Sequence, residues 1–203
     1  MNIAVFVSGN GSNLQALLDE ASRGRLSGGE IKLVVSDKKE AFALERAEKA
    51  GVKTLVKEAD PSQSREEYDR QIAEHLEKEK IDLIVLAGFM RLLSERFVNR
   101  YRGRIMNVHP ALLPSFKGTH GIRDALDYGV KVTGVTVHFV DEGLDSGPVI
   151  MQECLEIREN ESLDSLEERI HELEHRMYPA AVRSFVEGRI KVEGRKVTIL
   201  QDK

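Results

Sequence analysis

Three side chains in this sequence are equipped for proton transfer. Asn107 and His109 lie two residues apart in RIMNVHP, at the end of a short apolar run. On a strand they share one face, so a single pleat aims both at one cleft. Pro110 locks the chain after the imidazole, and the loop DEGLDSG carries Asp145, which the fold could bring beside His109. A carboxamide, an imidazole and a carboxylate in such company suit general acid–base work, and an enzyme is the leading reading. His138, in mid-strand between Val137 and Phe139, reads instead as a packed, hydrogen-bonded residue.

A second candidate lies near the N-terminus. The β-rich run Asn2–Val7 breaks into SGNGSN at residues 8–13, and LQALLDEAS then follows with helical spacing at Leu14, Leu17 and Leu18. Backbone N–H groups at such a helix start can face an anion, and Ser12 and Asn13 add a hydroxyl, a carboxamide and a helix cap. The same loop also serves as a plain tight turn. It is not the dinucleotide fingerprint, because Leu14 stands where a third small residue should follow Gly9 and Gly11. Asp37 occupies the place of a ribose-binding carboxylate, but in DKKE it reads as a solvated turn residue. His171, Glu174 and His175 lack the HExxH spacing of a metal site and read as a solvated helix face.

Alternating elements must position these residues. Strands over 31–36 and 52–56 flank a helix over 42–50 closed by Gly51. An amphipathic helix over 64–80 buries Tyr68, Ile72 and Leu76, with Arg65 and His75 exposed. The nearly continuous apolar run Ile81–Phe89 marks a central strand, and Met90–Leu93 after it are placed to line a cleft. Ser94 caps a short helix, strands follow over 104–108, 131–140 and 149–157, and a helix lies over 122–128. A long helix over 162–185, kinked or interrupted by Pro179, leads into a hairpin around Glu193 and Gly194. The pattern predicts an α/β, doubly wound, mostly parallel sheet with a C-terminal long helix and β-hairpin.

Composition narrows the class. At 203 residues the chain fits one domain, 1–203, with a phosphate-binding half over about 1–100 and a catalytic half over about 101–203. Hydrophobic residues at 41% and charged residues at 32% suit a globular protein, and no apolar run approaches the roughly 20 residues of a membrane span. A net charge of -4 gives no basic surface for nucleic acid, and the single Cys154 suits a reducing cytoplasm.

With NVHPALLPSFKG and HFVDEGLDSGPVI added to the N-terminal loop and to Met90–Leu93, the chain resembles the phosphoribosylglycinamide formyltransferases, folate-dependent enzymes of purine synthesis, over nearly its whole length. The resemblance implies a Rossmann-like formyltransferase fold and formyl transfer from 10-formyltetrahydrofolate, with no metal. It implies that Asn107 donates to the oxygen of a tetrahedral adduct, that His109 serves as acid, and that Asp145 holds His109. A carboxylate beside an imidazole, which titrates near ~6.5 when unperturbed, favours its protonated form. Gly11, Ser12, Asn13, His171 and Glu174 would hold the phosphorylated substrate. Arg65, Met90, Arg91, Leu92 and Leu93 would receive the folate, together with Val140, Asp141, Glu142, Gly143 and Leu144. Asn107, His109 and Asp145 match the family pattern, whereas the loop around Lys117 and His120 matches it less tightly. A monomer or homodimer is expected. The rivals are formyl transfer to another amine, hydrolysis of the folate donor on the same core, and a noncatalytic or redox nucleotide-binding module.

Overall fold

The first strand sets the layers of the molecule. In the computed structural model, which describes residues 1–201, β1 (Asn2–Val7) is covered on both faces. Its Ile3, Val5 and Val7 join one apolar cluster, and its Ala4 and Phe6 join another. Period-two geometry demands this of a strand buried between two helical layers.

Six strands extend the sheet: β2 (Glu30–Ser36), β3 (Lys53–Val56), β4 (Leu83–Leu86), β5 (Ile105–His109), β6 (Val132–Phe139) and β7 (Val149–Glu156). The spatial order is β3-β2-β1-β4-β5-β6-β7. The first five strands pair in parallel, and β6 and β7 are antiparallel. Helices α1 (Ser12–Ser22), α2 (Phe42–Lys49) and α6 (Leu163–Val186) bury their apolar stripes in the first cluster, as does Ile122 of α5 (Gly121–Tyr128). Helices α3 (Arg65–Lys78) and α4 (Glu95–Arg100) cover the opposite face. The sheet is therefore doubly wound. A terminal hairpin, β8 (Ile190–Glu193) and β9 (Lys196–Ile199), packs Ile190, Val197 and Ile199 against the first cluster.

This topology makes a crevice. The chain goes from β1 to β2 on one side and later to β4 on the other, so the loops after β1 and β4 diverge at their carboxyl ends. Helix α6 crosses beneath, and the buried Tyr178 hydroxyl lies 2.9 Å from the carbonyls of both Leu86 and Met106, at β4 and β5.

Three local expectations are corrected. The apolar run 81–89 is strand only over β4, because the chain turns at Gly88 (φ 75°) and releases the residues beyond it to line the crevice. Pro179 does not interrupt α6; it is buried with Tyr178, Ala181 and Val182, and packing outweighs the missing backbone N–H. Helix α1 is capped by Gly11 in the left-handed conformation (φ 76°), with no side-chain cap from Ser12 or Asn13. A Cβ on Gly11 would sit 2.5 Å from the Cβ of Ala43, so only glycine lets α2 approach this closely.

Candidate active site

Antiparallel pairing of β5 with β6 places Asn107 opposite His138. The Asn107 Nδ2 and His138 Nε2 atoms are 3.2 Å apart, and His138 Nδ1 lies 2.9 Å from the carbonyl of Phe139. With a proton on Nδ1 for that carbonyl, Nε2 accepts from the Asn107 amide. Burial lowers the pKa of His138, above all by desolvation, and so favours the neutral ring. The amide is thus fixed with NH2 toward His138, which leaves its second N–H for another acceptor. Asp145 lies between the two imidazoles. Its Oδ2 is 3.6 Å from His109 Nδ1, and its Oδ1 is 3.8 Å from His138 Nε2. Oδ2 also accepts from the Gly118 N–H at 2.8 Å, while His109 Nε2 is 2.8 Å from the Phe116 carbonyl. Both ring nitrogens of His109 therefore face acceptors.

These groups lie along a cavity of about 540 Å³. At one end are Gly11, Ser12 and Asn13, with His171 and Glu174 from α6. Glu174 is only 4% exposed, and Asn13 Nδ2 donates to its Oε2 at 2.9 Å. Burial pushes the Glu174 carboxyl up to about 7, against a smaller opposite pull from the Asn13 amide. Part of its wall is apolar and open: Met90 is 63% exposed, Leu92 59% and Leu144 53%. Arg65, Arg91, Leu93 and Val140–Gly143 also line the cavity. Arg91 stacks over the Tyr68 ring at 4.3 Å from its centroid. The cavity thus gathers all the residues singled out in the sequence for catalysis and binding.

A match to the formyl transferase family model spans residues 1–182. The chain belongs to that family. It is 44% identical to the phosphoribosylglycinamide formyltransferase of Escherichia coli (strain K12) over 192 residues, covering 95% of this chain and 90% of that one. It is 43% identical to the human trifunctional purine biosynthetic protein adenosine-3, covering 94% of this chain and only 19% of that protein. Among solved structures, glycinamide ribonucleotide transformylase 1 from Symbiobacterium toebii superposes with a TM-score of 0.94 at 45% identity, covering 99% of this chain and 94% of that one.

Within this formyltransferase, two sequence readings are overturned and a third is extended. Asp37 is not a solvated turn residue: it is buried, and its Oδ1 accepts from the Ser8 hydroxyl at 2.6 Å. Glu174 is not on a solvated face, because α6 turns it inward onto Asn13. His138 is packed, as expected, but it also lines the cavity. The signal for it was the register of an antiparallel pair, in which residue 138 falls opposite 107.

Proposed function

We propose that this formyltransferase moves the formyl group of 10-formyltetrahydrofolate to the amine of 5-phosphoribosylglycinamide, in de novo purine biosynthesis. What supports the reading is that Asn107, His109 and Asp145 line the same cavity as the Gly11–Asn13 loop and the exposed apolar side chains of Met90, Leu92 and Leu144.

The loop N–H groups with Ser12 and Asn13 take the phosphate at the start of α1. Glu174 and His171 take the ribose or glycinamide end. Met90, Leu92 and Leu144 flank the flat pterin, the backbone of 140–145 meets its hydrogen-bonding edge, and Arg65 and Arg91 meet the carboxylates of the glutamate tail. Residues of both halves of the chain thus serve each subsite. As the amine adds to the formyl carbon, the second N–H of Asn107 donates to the oxygen that gains charge. His109, steadied by Asp145, delivers a proton to the folate nitrogen as its bond to the formyl carbon breaks, and the proton lost by the amine returns to His109, which restores the acid. No role here calls for a metal. The enzyme acts in the cytoplasm, as a monomer or homodimer, without nucleic acid.

The test follows folate absorbance with and without the glycinamide substrate. Signal should depend on the amine, which separates transfer from hydrolysis of the donor. His109→Ala and Asp145→Ala should each lower turnover by about 10²–10⁴-fold with an unchanged melting temperature. Near-normal turnover in either folded variant would remove the proposed chemistry.

A further inference from the structure

The anion loop is held from outside by a side chain that does not line the cavity. Arg46, on α2, donates through Nε to the carbonyl of Asn10 at 2.9 Å. One terminal nitrogen donates to Asn10 Oδ1 at 2.8 Å, and the other to Gln15 Oε1 at 3.1 Å. Gln15 is itself oriented, since its Nε2 donates to Asp19 at 2.8 Å. The guanidinium is 4.8 Å from the Phe42 ring centroid, which accounts for an aromatic ring left 43% exposed. One helical turn before Arg46, the Ala43 N–H donates to the carbonyl of Gly9 at 3.0 Å.

These contacts fix the direction of two peptide planes. In a trans peptide the carbonyl of one residue and the N–H of the next point in opposite directions. Drawing the Gly9 and Asn10 carbonyls onto α2 therefore turns the N–H groups of Asn10 and Gly11 away from α2. Gly9, Asn10 and Gly11 line the cavity, whereas Ala43 and Arg46 of α2 are not among its lining residues. Gly11, in its left-handed conformation against Ala43, can hold this geometry only while α2 stays docked.

We propose that Arg46 is a positioning residue for the phosphate of the amine substrate, acting by locking the Gly9–Asn10–Gly11 backbone with its N–H groups toward the anion and adding a positive charge behind the loop. The proposal rests on the reading that Gly11, Ser12 and Asn13 hold that phosphate. A planar fork suits the role, since three acceptors must be met at once by one rigid group. Lysine at the same position keeps the charge but can satisfy fewer of them.

The experiment measures KM for 5-phosphoribosylglycinamide, KM for the folate donor, kcat, and competitive inhibition by inorganic phosphate. Arg46→Ala should raise the amine KM and the phosphate inhibition constant together by about tenfold, far more than it lowers kcat, with the folate KM unchanged. Arg46→Lys should fall between that variant and the native enzyme, and it serves as the test should Arg46→Ala not fold. Unchanged phosphate inhibition, or equal rises in both KM values alongside a lower melting temperature, would overturn the positioning role. Asn13→Ala is the control for the reading beneath it. If Asn13→Ala leaves phosphate inhibition intact, the loop itself is misassigned; if it weakens inhibition while Arg46→Ala does not, only the role of Arg46 fails.

Discussion

At the scale of single residues, the binding role proposed for Glu174 comes with a penalty to folding. Its carboxyl is pushed from 4.5 to about 7 by burial, so the folded state holds a proton that the unfolded chain releases earlier. Its contribution to stability is complete below about pH 4.5 and is lost as pH rises through about 7. The displacement corresponds to at most about 3 kcal/mol. Glu174→Gln keeps the shape and still accepts from Asn13, but it does not ionise. Thermal melts should show this variant close to the native protein at pH 5 and more stable at pH 8, by several degrees for a chain of this size, while its KM for the amine substrate rises. Parallel melting curves from pH 5 to 8 would sink the idea. The sequence showed Asn107, His109 and the Gly-Ser-Asn loop because each is a local pattern. It hid the state of Glu174 and the contact of His138 with Asn107, because burial of one position on an amphipathic helix and register between strands are both set by the whole fold.

At the scale of elements, the segment Met90–Leu93 is pinned at both ends by carboxylates distant in sequence. Its first N–H, at Met90, donates to the Ser8 hydroxyl at 2.9 Å, and that hydroxyl donates in turn to Asp37. Just past its other end, the Ser94 N–H donates at 2.5 Å to the buried Asp69, whose pKa is raised chiefly by desolvation. Asp37→Ala should leave the Ser8 hydroxyl without its acceptor and loosen the Met90 anchor. The folate KM is expected to rise about 3–10-fold, more than the amine KM, in steady-state assays that vary each substrate in turn. An equal rise in both would place Asp37 in general stability instead. The strand, helix and hairpin order was legible because apolar spacing switches cleanly between periods of two and 3.6 along most of the chain. The length of β4 and the unbroken α6 were not, because Gly88 and Pro179 are read by local rules that tertiary packing overrides at Pro179 and refines at Gly88.

At the scale of the molecule, Asp145, the carboxylate proposed to hold His109, depends on a segment far away in the chain. Asp145 sits in the left-handed region (φ 45°), which a non-glycine residue holds only when its surroundings fix it. Next to it, a Cβ on Gly147 would lie 1.8 Å from the Phe139 carbonyl oxygen, so the loop turns with no room for any side chain there. Asp141 Oδ1 accepts from Gly143 N and Ser146 Oγ, and Glu142 pairs with Arg102. A further tie comes from the terminal hairpin, where Arg195 at the turn donates to the Ser146 carbonyl at 2.7 Å. The hairpin lies beyond the residues matched by the family model, yet it anchors the Ser146–Gly147 peptide, one residue past Asp145. A single exposed hydrogen bond contributes about 1 kcal/mol, so Arg195→Ala should lower kcat by about 3–10-fold while the melting temperature stays within about 1–2 °C. Arg195→Lys, which can still reach one carbonyl, should recover part of the rate. A kcat equal to that of the native enzyme in Arg195→Ala would show that the loop orders Asp145 unaided, and a large drop in melting temperature would show that the hairpin contact supports the fold and not the carboxylate.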